Sequence, residues 1–354
     1  MRDHLLQSYD YSLPQELIAT YPAKPRENAK LLIYDRARDH ITHSNFWHFE
    51  DFIPPQSLLV FNNTKVIKAR IFGHKLGQNG GRIELLYHRH LGSQRFLVQL
   101  RGKVREDTLI AISPSDQTDL NLIPFSLRVC KLLDSGFREV EFYAYGKPCS
   151  LYEVLAHFDA LGHIPLPPYI KRADESLDEQ EYQSVFAKEL GAVAAPTASL
   201  HFSDISRLQA KFDHCFLTLH VGAGTFLPVE SEDIRFHKMH SESFSITQES
   251  WKKIQKAEKL LCIGTTVART IEYLYANPPS LNCDPYHGDC DLFLHPQNPP
   301  RKITALLTNF HLPKSTLLML VSSLVGREKC LELYAEAIKQ GYRFYSYGDG
   351  MLIL

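Results

Sequence analysis

A chain of 354 residues, 44% hydrophobic and 22% charged, is too long for one ordinary core and too apolar for a disordered chain, so two folded domains are expected. Seven cysteines, an odd number without regular spacing, read as free thiols in a reducing compartment. The opening Met1-Arg-Asp-His-Leu-Leu has no apolar signal core, and the most apolar run, Leu317–Val325, is too short to cross a membrane. A cytoplasmic protein with no membrane association is expected.

In chain order, Leu31–Tyr34 and Ser57–Phe61 read as strands. Next comes a one-sided charge window. Lys65 to Arg105 holds ten Lys and Arg against the single acid Glu84, a net +9 that leaves −10 on the remaining residues. Such a run in an otherwise acidic chain marks a polyanion surface, with Arg101, Lys103 and Arg105 on one side if the chain stays extended. Six short strands follow one another: Ala69–Leu76, Arg82–His90, Arg95–Arg101, Thr108–Ile112, Ser126–Leu133 and Phe137–Tyr143. Glycine-rich breaks at 77–81 and 134–136 separate some of them. Arg95–Arg101 alternates cleanly, with Phe96, Val98 and Leu100 on one face. Six antiparallel strands escape exposed edges by closing, so residues 66–148 are expected to form a small β-barrel.

After Tyr145 the pattern becomes α/β. Ser150 and Glu153 form a capping box for a helix that Gly162 can close, and Ser176 to Glu179 reads as another helix start. Strands are expected at His214–Val221, Lys259–Ile263, Leu292–Leu294, Ile303–Leu307 and Tyr342–Tyr347. Helices are expected from Thr247 through Lys256 and over Thr266–Tyr275, Ser315–Val325 and Glu328–Gln340. The expected architecture is a layered α/β main domain, residues 1–65 and 149–354, with the six-stranded antiparallel barrel inserted.

Dense polar segments stand at strand ends and turns of the α/β part. In Thr218-Leu-His-Val-Gly-Ala-Gly-Thr-Phe226, Gly222 and Gly224 allow a ligand to approach the backbone, flanked by His220 and Thr225. His240 and Glu242 project to one side of an extended segment, as base and orienter or as acid and base. Gly264-Thr265-Thr266 joins a strand to a helix and offers free N–H groups to an anion, with Arg269 about one turn on. Asn309, His311 and Lys314 exceed what capping needs, and Tyr342-Arg-Phe-Tyr-Ser-Tyr-Gly-Asp349 adds aromatics and an acid. Cys283, His287, Cys290 and His295 match no common zinc spacing; a plain loop and no metal are expected.

These segments, together with Tyr21-Pro22, Pro25-Arg26, Val60-Phe-Asn-Asn-Thr64, Leu166-Pro-Pro-Tyr-Ile-Lys-Arg172 and Val193-Ala-Ala-Pro-Thr197, resemble the S-adenosylmethionine:tRNA ribosyltransferase-isomerase family of queuosine biosynthesis. The resemblance runs in order over nearly the whole chain, weakest in the barrel and at Asn277–His295. It implies an α/β domain with an inserted barrel. It also implies a reaction in which the ribosyl carbons of S-adenosylmethionine move onto 7-aminomethyl-7-deazaguanine at the tRNA wobble position. The product is epoxyqueuosine in tRNA, with adenine and methionine released. S-adenosylmethionine is then a consumed co-substrate, and no other cofactor is implied.

That chemistry needs a base for the acidic hydrogens beside the sulfonium, an acid for the departing adenine, and a carboxylate near developing positive charge. His240 with Glu242 is expected as the acid/base pair and Asp349 as the electrostatic partner. Thr265, Thr266 and Arg269 suit the methionine carboxylate, Gly222 and Gly224 adenosine, and Asn309, His311 and Lys314 donor or RNA. Arg101, Lys103 and Arg105 are expected on tRNA, with Lys171 and Arg172 as a second RNA surface. A monomer is expected. The competing readings are an S-adenosylmethionine-dependent RNA methyltransferase and a non-catalytic RNA-binding module.

Overall fold

The structure is a computed structural model that describes residues 3–77, 80–112, 119–226, 228–279 and 283–354. It contains a nine-stranded sheet and a closed barrel. From edge to edge the large sheet runs Tyr286–Cys290, Glu242–Ile246, His214–Leu219, Leu58–Asn62, Leu260–Ile263, Ala305–Asn309, Gly350–Ile353, Lys30–Asp35 and His40–Asn45. Its four central strands, His214–Leu219 through Ala305–Asn309, are mutually parallel; the pairs outside them are antiparallel except Gly350–Ile353 with Lys30–Asp35.

Helices cover the central strands, so those strands read as continuous apolar runs, and Leu58–Asn62 is buried at every position. One face places Val60, Leu217, Cys262 and Leu306 against Trp251 and Ile254 of the helix Gln248–Lys256 and Val267 and Ile271 of the helix Thr265–Ala276. On the other face, Leu59, Phe61, Ile263 and Leu307 pack with Phe46, Phe49, Phe202 and Leu208. Thr247 accepts a hydrogen bond from the Ser250 N–H, and Ser315 one from the Leu318 N–H, as the N-cap residues of Gln248–Lys256 and Thr316–Val325.

The barrel strands Phe137–Ala144, Arg95–Arg101, Arg82–Gly92, Arg70–Lys75, Leu109–Ala111 and Ser126–Leu132 pair in that order, and the last pairs again with the first. Closure leaves the ring no open edge. Phe96, Val98 and Leu100 point inward as their alternation requires, and Phe125 stacks on Phe142 at 5.3 Å. The barrel core also takes in Val154 and Phe158 from the helix Leu151–Leu161, which carries the expected capping box.

Several local expectations are corrected. Tyr342–Tyr347 is a turn, with Tyr345 in the left-handed region at φ 71°, and the last strand is Gly350–Ile353. Leu292–Leu294 is not a strand; the strand is Tyr286–Cys290. Ser176 caps nothing, because the helix is only Asp178–Glu181 and has no side-chain cap. The extended run assumed for Arg101, Lys103 and Arg105 breaks at Gly102, where φ is 128°. In the turn at 77–81, residues 78 and 79 lie outside the described residues. Among the described residues, no helix is long and apolar enough to cross a membrane.

Candidate functional site

The four parallel strands end on one side of the sheet, at Asn62, Leu219, Ile263 and Asn309. The crevice beyond such carboxyl ends is where open α/β sheets bind ligands. A cleft of about 820 Å³ opens there, lined by Tyr169, Tyr182 and Tyr345 and by Thr265, Thr266, Asn309 and His311. Asn62, fully buried, holds the strand ends together. Its side-chain oxygen accepts from the N–H groups of Thr64 and Leu219, and its Nδ2 donates to Leu219 O and Thr266 Oγ1. Gly264, at φ 102°, brings the strand into the helix without a side-chain cap, so Thr265 and Thr266 present uncapped first-turn backbone to the cleft.

Beside this cleft lies a smaller cavity of about 360 Å³, lined by Gly224, Thr225, His240, Glu242, Arg269 and Leu317 among others. Glu242 opens the strand Glu242–Ile246 and is buried. One carboxylate oxygen accepts from Gly222 N–H at 3.0 Å and Thr225 Oγ1 at 3.3 Å, and the other meets Arg269 Nη1 at 2.6 Å. Arg269 is buried too, and donates also to Leu292 O and Cys290 O. The carboxylate is thereby fixed with no freedom to swing. His240, two residues earlier, is exposed and lines the same cavity. A Cβ on Gly224 would lie 2.7 Å from the His240 ring, so only glycine allows this close seat.

The other sequence-predicted residues divide. Asn309 and His311 line the cleft but are already bonded. Asn309 donates to Tyr345 O and Ser346 O and meets His201 Nε2 at 3.3 Å; His311 shares a hydrogen bond with Thr308 Oγ1 at 2.7 Å. Burial pushes the pKa of His311 down to about 3, which keeps it neutral. Lys314 pairs with Asp10 at 2.8 Å and does not line the cleft. Asp349, expected near the reacting atoms, is 1% exposed; it accepts from the backbone N–H groups of Lys30 and Arg343 and from the Arg343 side chain, and fastens a turn. Arg269, expected on a substrate carboxylate, lines the cleft and is the partner of Glu242.

His220 lines a third space, a groove of about 1530 Å³ between the barrel strand Arg82–Gly92 and the segments 220–224 and 240–243. Its Nδ1 lies 2.8 Å from Thr64 Oγ1, and burial lowers its pKa. Of the residues expected on RNA, Arg101 meets Glu84 at 3.3 Å, while Lys103, Arg105 and Lys171 are exposed and have no ion pair among the described residues. Arg172 is different: it grips Asp178 through both terminal nitrogens, at 2.6 and 2.7 Å, and lies over the Tyr21 ring, a structural role. Among the described residues, no group of three or more His, Cys, Asp and Glu gathers as a metal site. Cys290 is buried with its thiol 3.7 Å from Arg269 O, whereas Cys283 is exposed.

Comparison with known proteins decides the family. A family model described as "Queuosine biosynthesis protein" matches residues 6–353. The chain belongs to this queuosine biosynthesis family. It is 53% identical to the S-adenosylmethionine:tRNA ribosyltransferase-isomerase of Helicobacter hepaticus, over 99% of this chain and 97% of that one. Identity to the enzyme of the same name from Campylobacter jejuni is 52%, over 100% and 99% of the two chains. The crystal structure of S-adenosylmethionine tRNA ribosyltransferase from Thermotoga maritima is similar, with a TM-score of 0.53 at 28% identity, over 98% of this chain and 100% of that one.

In this member of the queuosine biosynthesis family, several residues of the site were not singled out by sequence reasoning. Tyr169, Thr197 and Asn62 lay inside noticed segments, and their polar atoms beside apolar runs were the available signal, whereas Tyr182 lay outside them. Nothing in the barrel sequence signalled that His88 and Arg89 line the groove against His240.

Proposed function

We propose that this chain acts as an S-adenosylmethionine:tRNA ribosyltransferase-isomerase in which the cleft takes the donor and the reaction occurs at Glu242 and His240. One observation carries this reading: the small cavity joins the other two spaces, sharing Thr225 and Arg269 with the cleft and Gly224, His240 and Glu242 with the groove. Two large substrates that must meet require two approaches to one point. The cleft's lining of tyrosine rings, hydroxyls and first-turn backbone is the mixture that a nucleoside with a charged tail calls for. Tyr169 and Tyr345, their centroids 4.5 Å apart, offer aromatic faces to adenine, and the uncapped backbone at Thr265 and Thr266 suits the methionine carboxylate.

Glu242, locked by Arg269 and the Gly222 N–H, places a fixed carboxylate where the sulfonium and the sugar develop positive charge. His240 stands free to move a proton, either from the acidified carbon beside sulfur or to the departing adenine. Arg269 acts through Glu242 as a positioning residue. Residues 1–65 with 149–354 form the catalytic part and 66–148 the inserted part that helps hold RNA.

Incubation with S-adenosylmethionine and tRNA carrying 7-aminomethyl-7-deazaguanine, followed by mass spectrometry, should yield adenine, methionine and epoxyqueuosine in the tRNA. S-adenosylhomocysteine with a methylated RNA would instead make the chain a methyltransferase.

A further inference from the structure

The groove has a barrel wall that the mechanism above does not use. Arg89 is exposed there and makes no salt bridge among the described residues. Of the barrel acids nearby, Glu84 is engaged by Arg70 and Arg101 and Glu141 by Arg95 and Arg128, while Glu139, which faces Leu97 from the other side, has no salt bridge among the described residues. Arg89 thus faces the groove with no carboxylate within salt-bridge distance among the described residues. Of the acids lining the groove, Glu242 is held by Arg269, which leaves Asp289.

His88 and His90 flank Arg89. His88 is half-buried, and its Nε2 has no hydrogen-bond partner among the described residues. Burial first, then the nearby His240 and Arg89, pushes its pKa down to about 4, so the ring is neutral. His90 is exposed, its ring 4.9 Å from Phe96. Imidazole faces and guanidinium planes are surfaces on which unstacked bases lie, and a base to be modified must leave its stack. Opposite them, Gly222 and Gly224 present backbone without side chains, and the groove shares Gly224, His240 and Glu242 with the small cavity.

We propose that the RNA strand carrying the acceptor base reaches the reaction centre through this groove, with Arg89 holding a phosphate beside that base and His88 and His90 flanking the base. The proposal rests on the ribosyl-transfer reading and assigns the path by which its acceptor arrives. It makes the end of one barrel strand part of the acceptor site, distinct from the Arg101–Arg105 surface.

The test measures tRNA carrying 7-aminomethyl-7-deazaguanine by filter binding across a salt series, with donor binding by calorimetry. Arg89→Ala should weaken tRNA binding about ten-fold and lower the log–log salt slope by about 1 while donor binding is unchanged. Arg89→Lys should keep the slope. Leu190→Trp places bulk on a groove-lining residue that is 55% exposed, and should raise KM for tRNA several-fold without altering donor binding. Unchanged affinity and slope in Arg89→Ala, equal losses in Arg89→Ala and Arg89→Lys, or an unaffected KM in Leu190→Trp would each overturn the proposal. Failure of the wild-type protein to release adenine would overturn the parent reading instead, so the two failures are distinguishable.

Discussion

Glu242 and Arg269 lie 27 positions apart in sequence and 2.6 Å apart in the fold, both buried. Removing one member of a buried ion pair strands the other charge, so Arg269→Ala should cost about 3–5 kcal/mol of stability, read from the denaturant midpoint. A loss confined to donor affinity would restore the idea that Arg269 binds substrate. His240, exposed and with no side-chain hydrogen bond among the described residues, should behave oppositely. His240→Ala should lower turnover by about 10²–10⁴-fold with stability close to wild type. Single-turnover kinetics beside thermal melting checks both halves. That His240 and Glu242 face one cavity was legible from their spacing. The Arg269 pairing was not, because it depends on two elements meeting across the sheet, and Asp349 misled because its strand-end position concealed a carboxylate filled by backbone N–H groups.

Elements of the site are fastened by groups that must stay neutral. The end of Ala305–Asn309 is held by His201, which meets Asn309 and stacks on Phe46 at 3.9 Å, and by His311 on Thr308. Burial pushes both pKa values down to about 3 from an ordinary 6.5. Between those values the unfolded chain binds protons that the folded chain refuses. Stability is therefore full above pH about 6.5 and falls as pH drops, by up to about 1.4 kcal/mol per pH unit for each histidine. His201→Phe should flatten the pH dependence of the urea midpoint between pH 6 and 4 by about one proton, and an unaltered slope would count against a buried neutral His201. Elements set by local pattern were legible: the barrel strands by alternation, and Leu151–Leu161 by its capping box. Tyr342–Tyr347 was misread as a strand because aromatic β-propensity was overridden by a left-handed Tyr345 and by Asp349 gripping Arg343.

At the scale of the whole molecule, the basic window proves uneven. Arg101 is paired with Glu84, whereas Lys103 and Arg105 project freely past the kink at Gly102. Changing all three to Gln should lower the log–log salt slope of tRNA binding by about 1–2, with donor affinity unaffected. An unchanged slope would make this face ordinary surface. The two-part architecture was readable because period-2 strands gave way to alternating strands and helices at Tyr145. The order of strands in the sheet was not, since neighbours such as Lys30–Asp35 and Gly350–Ile353 carry no mark of each other in sequence.

That last pairing bears on how the protein is made. Every barrel pairing lies between residues 70 and 148, so the barrel can close while the ribosome is still translating the rest. Leu58–Asn62 must wait for residues beyond 213, and the hairpin Lys30–Asn45 gains its inner neighbour only when Gly350–Ile353 is synthesised. Leu58–Asn62 thus stays without a sheet partner until His214–Leu219 is made, and the hairpin keeps its inner edge open until Gly350–Ile353 is made, the condition under which nascent chains attract chaperones or aggregate. A chain stalled before residue 350 should yield, on limited proteolysis, a protected fragment covering roughly 70–161, a folded barrel beside a sheet still under construction.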